Sequence, residues 1–148
     1  MPASSICFHT EMPSFRLKHK TILREHINQT ILASGKHSGD LNFIFCNDES
    51  LLDINKRFLQ HDYYTDVITF DYSSAKTISG DIYISIDRVA ENAKTEKQTF
   101  ETELGRVMIH GVLHLMGYGD KEKSAKALMR KNENKFIALL NSTNKYGL

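Results

Sequence analysis

The chain has 148 residues, the size of one ordinary domain, and it is 41% hydrophobic and 25% charged, which supports a packed core and excludes wholesale disorder. Nineteen Lys and Arg against eighteen Asp and Glu leave a formal charge of +1, so nucleic-acid binding by bulk charge is excluded and only a local basic patch remains open. No apolar run approaches the roughly 18 residues of a membrane span, and Met1 to Glu11 lacks the basic-then-apolar pattern of a secretory leader.

Ser5 to His9 reads as a first strand. Lys18 to Ser34 carries Ile22, Leu23, His26, Ile27, Thr30 and Ile31 at helical spacing and is closed by Gly35. Leu41 to Cys46 is a second strand, and Leu51 to Leu59 a helix capped by Asp48 or Ser50. Asp66 to Tyr72 and Asp81 to Ile86 are strands joined by a polar turn, after which Asp87 is expected to cap a helix over Arg88 to Lys97. A helix opening at Thr99, with Thr99 and Thr102 as candidate caps, has nearly continuous apolar positions and is expected to be buried on most sides. Gly117 and Gly119 end it. Lys121 to Leu140 forms a last amphipathic helix, and the tail 141–148 is expected to fray. Cys7 and Cys46 lie in the strand-like segments and read as buried reduced thiols, with the cytoplasm as the expected compartment. The whole, residues 1–148, reads as a single α+β domain: one mixed four-stranded sheet packed with about five helices.

The chemistry concentrates in Ile109 to Asp120, IHGVLHLMGYGD. His110 and His114 are four apart, so both imidazoles lie on one face of a buried helix within reach of a single ion. The turn at Gly117 to Gly119 can bring Asp120 back to that face. Three protein ligands with a fourth position left for water mark a catalytic rather than a structural zinc site. Two histidines at this spacing also occur by chance, but unpartnered imidazoles would be costly to bury in so apolar a helix. Gly111 costs about 1 kcal/mol relative to Ala in a helix interior, so it is expected to serve close packing or access. It also stands where H-E-x-x-H peptidases carry their general base, which argues against an ordinary peptidase.

This segment resembles the signature of the YbeY family, H-G-x-L-H-L-x-G-Y-D-H, in His110, Gly111, Leu113, His114, Leu115, Gly117 and Tyr118. Thr65-Asp66-Val67 with Thr69-Phe70, Gly80-Asp81-Ile82 with Ser85, and Glu103-Leu104 resemble further family motifs, in order and spacing, from about Leu41 to Glu133. The resemblance implies a zinc-dependent endoribonuclease, one ion per chain with another divalent ion as the alternative. It implies action on single-stranded RNA, chiefly ribosomal RNA precursors, and on ribosome quality control. The partner implied is the small ribosomal subunit, with neither DNA nor membrane. His110, His114 and Asp120 would hold the metal, and the metal-bound water would be the nucleophile unless the RNA's own 2′-hydroxyl takes that part. Two positions depart from the pattern. Asp120 stands where the family has its third His, and Leu59 stands under a functional Arg of the family. Arg57, two residues earlier, is the candidate for that catalytic role, with another cation as the alternative.

Asp66 and Asp81 are candidates to hydrogen-bond a ligand imidazole, or else ordinary strand-edge residues. His61 and Asp62 occupy a polar loop. Tyr63, Tyr64 and Tyr72 can stack on unpaired bases or pack on the sheet. Arg16, Lys18, Lys20 and Arg24 cluster near the first helix. Lys121, Lys123, Lys126, Arg130, Lys131 and Lys135 line the last one, reading as a solvated face interleaved with Glu122 and Glu133 unless that face borders the metal cleft. Two rival functions stay open: a ribosome-associated RNA-binding assembly factor with little catalysis, and a metallohydrolase of another substrate.

Overall fold

In the computed structural model, which describes residues 5–143, four strands form one mixed sheet. They are β1 (Ser5–Thr10), β2 (His37–Cys46), β3 (Val67–Asp71) and β4 (Thr77–Ser85), in the spatial order β1-β2-β4-β3. β1 and β4 run parallel to β2, and β3 is antiparallel to β4 at the edge. The helices are α1 (Lys20–Ala33), α2 (Asp48–Leu59), α3 (Ile86–Thr95), α4 (Phe100–Leu115) and α5 (Lys123–Asn141). This is the α+β architecture expected from the sequence. No helix among the described residues is long and apolar enough to cross a membrane.

Strand alternation decides which helix covers which face. Along β4, Ile78, Gly80, Ile82 and Ile84 are buried, while Asp81 and Tyr83 point the other way. α4 lies over the first face. A Cβ built on Gly111 would come 2.8 Å from Cγ2 of Ile82, and one on Gly80 would come 3.0 Å from Leu115. The two glycines therefore let helix and sheet approach more closely than side chains would allow, which answers the question Gly111 raised in favour of packing. Leu104, Val107, Met108, Ile109, Val112, Leu113 and Leu115 are all buried along α4, and each such side chain contributes roughly 1.5–3 kcal/mol of burial. Leu23, Ile27 and Ile31 of α1 and Met129, Phe136, Ile137 and Leu140 of α5 complete this cluster. A smaller cluster of Cys46, Leu51 and Ile68 lies under α2 on the opposite face.

Several local expectations need correction. β2 and β4 each begin four residues earlier than hydrophobicity suggests. The added ends pair through the backbone, His37 with Thr77 and Ser38 with Ile78, before a register shift between Ser38 and Leu41 brings Leu41 opposite Gly80. Asn47, not Asp48 or Ser50, caps α2 by accepting from the Ser50 amide. Ser85, not Asp87, caps α3 by accepting from the Arg88 amide. The two aspartates are spent elsewhere: Asp48 accepts from the Ser85 hydroxyl and from Arg88, and Asp87 accepts from the Asp48 amide. Thr99 caps α4 as expected. Cys7 is exposed rather than buried, because its side chain falls on the open side of the edge strand β1; Cys46 is buried, and both are free. Burial, then the charges of Glu11, Asp48 and Asp87, pushes the Cys46 thiol up to about 12. α5 runs through Asn141, and Ser142 and Thr143 still donate to Ala138 and Leu140, so fraying does not begin at 141; residues 144–148 lie outside the described residues.

Gly111→Val places two methyl groups against the β-branched Ile82, which cannot swing away. Loss of about 1–3 kcal/mol is expected, measured as a lower midpoint in urea unfolding with the slope unchanged.

Candidate metal centre

α4 carries His110 and His114 on successive turns, and the chain reverses at once to deliver Asp120. Met116 caps the helix, Gly117 takes φ 103°, and the Tyr118 amide returns to the Leu113 carbonyl. The three side chains meet at one point. His110 Nε2 and His114 Nε2 are 3.0 Å apart, and Asp120 Oδ2 is 3.1 Å from His114 Nε2 and 3.3 Å from His110 Nε2. They sit in the wall of a cleft of about 380 Å³ bounded by the end of α2, the following loop and β3.

The remaining ring nitrogens define what this point offers. His114 Nδ1 lies 3.0 Å from the Tyr118 carbonyl oxygen, which can only accept, so Nδ1 carries the proton. His110 Nδ1 lies 2.6 Å from Glu133 Oε2, a buried carboxylate on α5, and donates to it in the same way. Each neutral imidazole then presents a bare Nε2. Two nitrogen lone pairs and a carboxylate oxygen converge at 3.0–3.3 Å, and that arrangement needs a shared positive charge, from a proton or a metal ion. The separations match the edge of about 3.3 Å expected between tetrahedral ligands held at about 2.0–2.1 Å from zinc. The donor set therefore fits a divalent cation.

Charge around the cluster is dense and paired. Glu133 also accepts from Arg106 at 3.3 Å, and Arg106 continues to Asn134 at 2.8 Å. Arg130 stands 3.8 Å from the same carboxylate. Burial pushes the His110 imidazole down, but the hydrogen bond and charge of Glu133, with the charges of Asp120 and Asp66, outweigh it and hold its pKa above the ordinary histidine value. Burial raises the carboxyls of Asp66 and Glu103, opposed by His110 for the first and Arg106 for the second.

The expected site residues separate clearly. His110, His114 and Asp120 come together. Asp66 lines the cleft beside His110, but its carboxylate accepts from Asn92 and not from an imidazole. Asp81 points to the face of the sheet away from α4 and accepts from Asn42, so strand parity removes it from the histidines. The imidazole partners are Glu133 and the Tyr118 carbonyl instead. Glu133 was expected on a solvated face and is buried. Its signal was an acidic residue inside the apolar stripe Met129, Phe136, Ile137 and Leu140. Arg57 is 70% exposed and pairs with Asp53 one turn back at 3.1 Å; Leu59, not Arg57, lines the cleft. Of the three tyrosines singled out, Tyr63 lines it, stacked on His61 with ring centroids 5.1 Å apart. Tyr64 bonds Glu49 outside it, and Tyr72 is exposed.

Fold and site together define an α+β protein with a candidate divalent-metal centre on a buried helix and the turn after it. The model of the Endoribonuclease YbeY family matches residues 7–141, and the chain belongs to that family. Among curated relatives, the Endoribonuclease YbeY of Flavobacterium psychrophilum is 48% identical over 134 residues, covering 90% of this chain and 95% of its own. That of Cytophaga hutchinsonii is 47% identical over 141 residues, covering 94% and 98%. The solution structure of TM1509 from Thermotoga maritima superposes with a TM-score of 0.61 at 28% identity, covering 90% of this chain and 87% of that one.

Glu133→Gln removes the strongest influence that keeps the proton on His110 and leaves only the charges of Asp120 and Asp66 to oppose burial. In metal-free protein the His110 titration, followed by NMR of the imidazole protons, moves to lower pH; a midpoint that stays in place contradicts the assignment of Glu133 as the cause.

Proposed function

We propose that this chain is a zinc-dependent endoribonuclease that cleaves phosphodiester bonds of single-stranded RNA, chiefly ribosomal RNA precursors, in the cytoplasm and in association with the small ribosomal subunit. Residues 1–148 act as one domain in this reading. The observation that carries it is the convergence of His110 Nε2, His114 Nε2 and Asp120 Oδ2 within hydrogen-bond distance of one another in the wall of a cleft, in a member of a family of endoribonucleases.

In this reading His110, His114 and Asp120 hold one divalent ion, which when bound supplies Lewis-acid polarisation of a phosphoryl oxygen and a water of lowered pKa. The chain's own residues do the rest. Glu133 and the Tyr118 carbonyl fix both Nδ1 protons and so aim both Nε2 lone pairs at the same point. Asp120 adds a negative ligand where the family pattern has a neutral imidazole, which shifts preference toward harder ions. Asp66 flanks the cleft with its carboxyl pKa raised. Arg57, held by Asp53 outside the cleft, is a poor candidate to steady phosphate charge from its present position. That observation also favours a second reading, an RNA-binding assembly factor with little catalysis. RNA cleavage by the wild-type protein that His114→Ala abolishes, with the fold intact, excludes this second reading.

Elemental analysis of purified protein should find near one zinc per chain in wild type. Asp120→Ala should retain less than about a tenth of it, and Asp120→His should bind metal again, because imidazole is an equally competent ligand. Equal zinc in wild type and Asp120→Ala would remove Asp120 from the ligand set. The metal also competes with the proton on His110. Since that pKa is raised, zinc affinity falls as pH drops through it, and competition with a chromophoric chelator across pH should show the loss beginning above the ordinary histidine range.

A further inference from the structure

We propose that Lys126 and Arg130, on the exposed edge of α5, hold the phosphate backbone of the RNA against the His110–Asp120 side of the cleft; this rests on the endoribonuclease reading above. Two hollows, of about 300 and 250 Å³, open on that side. Both are lined by His110, Asp120, Glu133 and Arg130, and the second also by Lys126. The two cations are four residues apart, on one face of the helix and about 6 Å apart along its axis, so they address two separate negative charges. Neither is consumed by the protein. Lys126 has no ion-pair partner among the described residues. Arg130 stands 3.8 Å from Glu133, a carboxylate already bound by His110 and Arg106, so most of its five donors stay available.

Charge makes the assignment specific. The cleft carries Asp66 and Asp120, with Glu103 and Glu133 behind them. An anionic strand enters such a place only where cations border it. On the opposite wall Leu59 is apolar and Arg57 faces away with Asp53. The α1 cluster lies elsewhere, with Arg24 bound to the Ile6 carbonyl and stacked over Phe8. Lys131, also exposed on α5, lines neither hollow and serves as a control.

The test uses full-length zinc-loaded protein and a labelled 2′-O-methyl oligouridine, read by fluorescence anisotropy between low and moderate salt, beside cleavage of the unmodified oligomer. Lys126→Gln and Arg130→Gln should each weaken binding at least about threefold and reduce the slope of log K against log salt by about 0.7. KM should rise with kcat and zinc content little changed. Arg130→Lys should restore the slope, and Lys131→Gln should leave both affinity and slope as in wild type. Unchanged affinity and slope in the Lys126 and Arg130 variants of an active enzyme overturn this inference alone, as does an equal loss in Lys131→Gln, which would mean diffuse attraction to the helix. A wild-type protein that binds zinc but neither binds nor cleaves the RNA overturns the endoribonuclease reading and this inference with it.

Discussion

One buried carboxylate connects the fold to its chemistry. Glu133 sits on α5 among apolar neighbours, where an ionised side chain is costly unless it is fully partnered. Its partners are His110 and Arg106, both on α4, with Arg130 close by. The charge is thus tolerable only while α4 and α5 stay in register, and α4 is in turn fixed in the core by seven buried apolar side chains and set close to the sheet by two glycine contacts. Moving α5 by one turn would leave Glu133 without its hydrogen bonds and His110 without the group that selects its tautomer. Core packing and coordination geometry are the same constraint seen from two sides.

That constraint also explains why the site is rich in acids yet close to balance. Glu133 and Glu103 are matched by Arg106, and the raised carboxyl of Asp66 faces an imidazole that tends to keep its proton. A divalent ion replacing that proton would add positive charge where three electron-rich atoms already converge. The neighbourhood is arranged for one cation, and the cations of α5 border the route by which an anion would approach it.

The sequence was most legible where the signal was local. The His110–His114 spacing, the Thr99 cap, the apolar run of α4 and the Gly117 turn each depend on residues within a few positions, and Asp120 follows from that turn. The family signature covers the same stretch. Glu133 was missed because its partner lies 23 residues away on another helix, and no local pattern encodes that distance. Asp81 stays open between two readings in the sequence because a strand motif does not say which face looks toward the histidines; parity against Ile82 places it on the other face. Arg57 does carry a local signal: Asp53 one turn earlier favours a surface pair over a cleft residue. The early starts of β2 and β4 gave little hydrophobic signal because those ends carry one apolar residue, Ile78, between polar and glycine positions and are held by backbone pairing.

The two histidines differ in what holds them. His110 is oriented by a side chain, and His114 by a main-chain carbonyl. A single nucleotide change can delete the first partner, but no replacement at position 118 removes the second, which every amino acid supplies. Only a change in the path of the chain, such as a residue at position 117 that cannot adopt its left-handed φ, would turn His114 aside. The two halves of the centre are therefore exposed to different kinds of variation: substitution in a distant helix for one, turn geometry for the other.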